Sequence, residues 1–79
     1  MTTKSKAKNT FAVEFDREDD GRWIAEIPKL PGVMVYGVTK KEALQKVYVA
    51  ALRTLADGIE QGRTLAPVAR LFNHEVARR

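Results

Sequence analysis

Apolar and polar residues alternate from Thr10 to Asp16, with Phe11, Val13 and Phe15 set against Ala12, Glu14 and Asp16. A period of two is that of a strand with two unlike faces. Arg17-Glu18-Asp19-Asp20-Gly21 follows as a hairpin loop, since Asp-Gly tolerates left-handed backbone angles. Arg22 to Ile27 repeats the alternation, with Trp23, Ala25 and Ile27 on one side and Arg22, Ile24 and Glu26 on the other. Pro28 ends that strand by removing a backbone donor, and Pro31-Gly32 is a turn signal before a third strand over Val33 to Val38. At Thr39 the period changes. Thr39-Lys40-Lys41-Glu42 has capping-box spacing, in which a hydroxyl and a carboxylate satisfy two otherwise orphaned amides. On a 3.6-residue wheel Leu44, Val47, Tyr48, Ala51, Leu52, Leu55 and Ile59 form one apolar arc, opposite Lys46, Arg53, Asp57 and Glu60. Val49 falls on the polar side. Gly58 lies within the arc, where the helix ends early or approaches the sheet closely, and Gly62 suits the position just past a helix end.

Pro67 blocks a continuous helix through the remainder. Pro67 to Asn73 reads as a short fourth strand or as an amphipathic turn of helix. The strand is favoured because one helix over three strands leaves a sheet edge for a returning strand to close. The expected class is thus α+β, in the order β-β-β-α-β, with one helix on one face of a small antiparallel sheet. The inward set is Phe11, Val13, Phe15, Trp23, Ala25 and Ile27. The opposite face carries Ala12, Glu14, Ile24 and Glu26 with part of the third strand, a mixed surface of the kind found at interfaces.

Seventy-nine residues make one domain, and a single core of that size is marginal, so association with another chain is a natural source of further burial. There are no cysteines, which excludes disulfides and thiolate metal sites and fits a reducing compartment. No apolar run reaches the ~20 residues of a membrane helix and no signal-peptide pattern follows Met1, so a soluble cytoplasmic protein is expected. The net charge of +4 is unevenly spread. Residues 1–9 carry +3, residues 10–62 carry −2 and residues 63–79 carry +3. Residues 1–9 read as a disordered basic tail, 10–73 as the domain and 74–79 as a basic C-terminal tail. Such ends favour acidic partners or nucleic acid without bearing on fold.

Catalytic chemistry finds no support. His74 is the only histidine and Ser5 the only serine, and neither has an orienting partner in view. Glu14, Asp16, Glu18, Asp19 and Asp20 lack calcium-loop spacing and read as a solvated hairpin tip. The five glycines are dispersed at turns, so no phosphate loop exists. No enzyme, cofactor or metal is expected. Phe11, Phe15 and Trp23 belong to the core side, which argues against a base-stacking sheet, while the register of Tyr36 stays open.

The central stretch resembles the HicB antitoxin family. Gly21-Arg22-Trp23-Ile24-Ala25-Glu26-Ile27-Pro28-Lys29-Leu30-Pro31-Gly32, then Tyr36-Gly37-Val38-Thr39-Lys40-Lys41-Glu42-Ala43, is similar to that family's aromatic-x-Ala-Glu-x-Pro-x-Leu-Pro-Gly run and its later Gly-x-Thr-x-x-Glu-Ala. The resemblance spans about Phe11 to Gly62. It implies a partial ribonuclease-H-like β-β-β-α-β fold with the last strand, near Val68 to Phe72, beside the first. It also implies an antitoxin that binds and blocks a HicA-type mRNA-cleaving ribonuclease, a small basic protein. Residues 63–79 are too short for the helix-turn-helix domain of many members, so autoregulatory DNA binding does not carry over. The contact residues expected on this reading are Glu14, Asp16, Ile24, Glu26, Leu30, Pro31 and Tyr36, with a homodimer or higher homo-oligomer expected. The competing readings are a stand-alone self-associating structural protein and a nucleic-acid accessory acting through the basic tails.

Overall fold

The computed structural model describes residues 11–63 and 66–72. The two basic tails, 1–9 and 74–79, lie outside the described residues. Three short strands, β1 (Glu14–Arg17), β2 (Trp23–Glu26) and β3 (Met34–Gly37), form one antiparallel sheet in the order β1-β2-β3. The long helix α1 (Lys40–Glu60) packs across β2 and β3. This is an α+β domain in β-β-β-α order.

Local chemistry explains each junction. Gly21 takes φ +91° in the β1–β2 loop, where the Gly21 N–H donates to Glu18 C=O at 2.9 Å. The β2–β3 corner is two consecutive turns: Leu30 N–H donates to Ile27 C=O at 2.9 Å, and Val33 N–H to Leu30 C=O at 3.0 Å. Pro31 followed by Gly32 at φ +86° is the sequence a type II turn requires. Thr39 caps α1, its Oγ1 accepting from the Glu42 N–H at 3.0 Å. The Glu42 carboxylate accepts in return from the Val38 N–H, one residue before the cap. At the far end Gly62, at φ +90°, donates to Ile59 C=O and Arg63 N–H donates to Gly58 C=O, a Schellman ending. The helix therefore runs through Gly58, which is buried.

The core is Ala25, Ile27, Leu30, Val33, Ala43, Val47, Ala51 and Leu55, with Phe11, Val13, Phe15, Trp23, Val35, Leu44, Ala50 and Val68 half-buried around it. The inward face of the sheet is the expected one. The helix face is the expected one only in part, at Val47, Ala51, Leu55 and Gly58. The buried stripe is Ala43, Val47, Ala51, Leu55 and Gly58, whereas Tyr48 and Leu52, expected inside, are 51% and 61% exposed, and Ile59 is exposed as well. Small side chains at Ala43, Ala51 and Gly58 let the helix lie close on the sheet, and the bulkier residues turn to its flank.

The expected fourth strand is corrected at its beginning. Ala66–Ala69 is a helical turn, α2, continued by bonds from Leu71 N–H to Val68 C=O and from Phe72 N–H to Ala69 C=O. Among the described residues no strand lies on the edge of β1 that faces away from β2. Pro67 at the second position of a short helix costs little, because the first turn has no amide acceptors to lose.

Candidate functional site: the uncovered face of the sheet

One helix covers one face, so the other side of β1-β2-β3 is left open. Antiparallel pairing brings residues on it into two rows. Glu14, Glu26 and Met34 form one; Asp16, Ile24 and Tyr36 form the next. Five of the expected contact residues, Glu14, Asp16, Ile24, Glu26 and Tyr36, thus share one surface. Tyr36 is resolved to the open face, opposite Val35, which packs on the core.

Leu30 does not join them. It is 6% exposed and anchors the β2–β3 corner in the core, so as a contact residue it is corrected. Pro31 is exposed at the corner itself. Two residues not named among the expected contacts also belong to the face. Met34 is exposed beside Glu26, a position that period-two counting from Tyr36 already implies. Arg22 stands with its guanidinium 4.5 Å from the Tyr36 ring centroid and its Nε donates to Asp20 Oδ2 at 2.9 Å. Stacking and pairing both occupy this cation, which leaves Glu14, Asp16 and Glu26 as the dominant charges of the face.

The electrostatics follow from this placement. Glu14 and Glu26 are cross-strand partners, an arrangement of like charges that destabilises a sheet unless a cation meets it. Asp20 is the exception among the acids. The Arg22 backbone N–H donates to its Oδ1 at 3.0 Å and, with the Arg22 side chain, holds its carboxyl below the ordinary carboxylate value against an opposing desolvation. Asp20 is therefore a structural brace of the hairpin loop.

The covered side has its own order. Phe15 and Trp23 meet edge to face at 6.4 Å and 84°, with Lys40 Nζ 4.8 Å from the Phe15 ring and Arg17 4.8 Å from that of Trp23. These rings are closed by cations and by packing, as their core-side placement requires. Among the described residues no group of three or more potential metal ligands converges. No described helix is long and apolar enough to cross a membrane.

Fold and face together define a class: a small α+β domain presenting an acidic-apolar sheet surface. No known family profile, curated protein or solved structure matches this chain.

Proposed function

We propose that this chain is a HicB-like antitoxin module that neutralises a HicA-type ribonuclease by occlusion, with the open sheet face as its docking surface. The observation that carries this reading is the composition of that face. Ile24, Tyr36 and Met34 offer apolar area, and Glu14, Asp16 and Glu26 surround it with negative charge that meets no ion-pair partner among the described residues. A ribonuclease that binds mRNA must present a cationic surface to phosphates, and the same surface complements this one. The resemblance of the Trp23–Gly32 and Gly37–Ala43 segments to the HicB pattern supports the assignment, and the protein acts by binding, without a reaction of its own.

The test is co-purification with a small basic ribonuclease of HicA type and protection of a reporter mRNA from it. Wild-type chain is expected to bind and protect. Glu14→Lys with Glu26→Lys is expected to abolish both while leaving the fold intact. Full protection by the double variant, or no complex with any small basic ribonuclease of HicA type, overturns the reading.

A further inference from the structure

Three carboxylates on the open face are left without a cation by the rest of the domain. The ion pairs among the described residues are Arg22 with Asp20 and Lys46 with Glu42, and neither includes Glu14, Asp16 or Glu26. Asp16 also accepts the Arg17 N–H through Oδ1 at 2.8 Å, a bond that cancels none of its charge. All three acids are exposed. Strand register fixes their spacing. Glu14 and Glu26 are direct partners, with Cβ atoms about 5 Å apart, and Asp16 lies two residues along β1, about 7 Å away.

The matching charges are present in the chain itself. Lys4, Lys6 and Lys8 alternate with Ser5 and Ala7. In any extended run such positions fall on one side at about 7 Å intervals, the spacing of Glu14 and Asp16. Lys8 precedes Glu14 by only six residues, and the segment leads directly into β1. Residues 4–10 can span about 20 Å, whereas three strands side by side are about 10 Å wide, so all three carboxylates lie within reach. Residues 74–79 match the face less well. Glu75 offsets one of Arg78 and Arg79, leaving +1, and these residues follow α2, whose Val68 packs against the core on the side that α1 covers.

We propose that residues 4–8 lie across the open sheet face of their own chain, with Lys4, Lys6 and Lys8 meeting Glu14, Asp16 and Glu26. Each exposed ion pair is weak by itself. The tether supplies an effective concentration in the millimolar range, which lets three such pairs act together. Cations here also relieve the repulsion between Glu14 and Glu26. The docking stands apart from the ribonuclease reading, and one consequence rests on that reading. A basic partner must displace the segment to reach the carboxylates. The segment is thus a built-in competitor that admits only partners of higher positive charge density.

The chain has no cysteine, so Ser5→Cys can carry a single nitroxide label. Paramagnetic broadening of amide signals then reports where the segment lies. At about 50 mM salt the amides of Ile24, Glu26 and Tyr36, on the strands away from the tether, are expected to broaden strongly. Their paramagnetic relaxation is expected to be about two- to fivefold faster than in the same labelled chain carrying Lys4→Gln, Lys6→Gln and Lys8→Gln. Ala51 and Leu55, buried under the helix, are expected to relax equally in both. The excess is expected to vanish at about 0.5 M salt, where the screening length falls to about 4 Å, and in Glu14→Gln with Glu26→Gln. Free octalysine, standing for a basic partner, is expected to lower the wild-type rates to those of the glutamine chain. Equal relaxation in the wild-type and glutamine chains overturns the proposal, as does an excess that survives high salt. Broadening passed from labelled chain to isotope-enriched unlabelled chain overturns it too, since a second copy would then occupy the face. Octalysine bound with no loss of the excess overturns the competition. A segment that docks while no HicA-type ribonuclease binds overturns the antitoxin reading and leaves this inference standing.

Discussion

Glu14 and Glu26 stand directly opposite each other across the β1–β2 ladder, on the face that α1 leaves open. Nothing in the folding of the isolated chain benefits from this pairing, since facing like charges cost about 0.2–1 kcal/mol. Glu26→Gln is therefore expected to stabilise the chain by about 0.5 kcal/mol, read from denaturant midpoints at low salt. The gain is expected to shrink as salt screens the pair. The same change is expected to weaken binding to a basic partner. A stability gain with undiminished binding would detach the acidic face from function.

Asp20 behaves in the opposite sense. Its carboxylate is favoured in the folded state by the Arg22 backbone N–H and guanidinium, so its folded pKa lies below the unfolded one. The associated stability is present above the unfolded pKa and is lost as pH falls through the folded pKa. Asp20→Asn is expected to flatten the acid limb of a stability-versus-pH curve below about pH 4, the ordinary carboxylate range. An acid limb as steep as in the wild type would remove Asp20 from that role.

Gly37 is required by closeness and not by backbone angle. A Cβ built there would stand 2.5 Å from the Ala43 N, 2.9 Å from the Ala43 Cα and 3.0 Å from the Thr39 C=O oxygen. All three obstacles are backbone, at the start of α1 where the cap holds it. Gly37→Ala is expected to cost about 1–3 kcal/mol, by displacing the helix from β3. A melting temperature equal to that of the wild type would show that the junction yields freely.

Val47 and Leu52 separate the two possible helix faces. Val47 is fully buried under the sheet and Leu52 is 61% exposed. Val47→Ala is expected to cost about 2 kcal/mol, and Leu52→Ala less than about 0.5 kcal/mol, by chemical denaturation. Equal costs would return the helix to the orientation that its composition suggests.

Thr39 and Glu42 brace the helix start reciprocally, through the Glu42 and Val38 amides. Thr39→Ala is expected to lose about 1 kcal/mol, and Thr39→Ser to recover most of it. A serine variant as weak as the alanine would deny the hydroxyl its part.

Much of this arrangement is legible in local chemistry. Strict alternation places Phe11, Val13 and Phe15 on one face and Glu14 and Asp16 on the other, because successive strand side chains must point oppositely. The Thr39–Glu42 spacing and Gly62 mark the helix ends, because caps are made by residues adjacent in sequence. The helix face was less legible. Its apolar sector, from Leu44 round to Ile59, is wider than the sheet beneath, so composition alone does not say which part is covered. Leu30 reads equally well as corner contact or anchor, and only the folding back of two turns turns it inward.

By itself the sequence determined the three strands, the capped helix and the division of the sheet into an apolar and an acidic side, since each depends on neighbours a few residues apart. Tertiary packing decided the rest. It chose Ala43, Val47, Ala51 and Gly58 as the seat of the helix, opposed Glu14 to Glu26, and closed the β3 edge with Lys46. These outcomes depend on how distant segments meet, and burial and strand register are properties of that meeting.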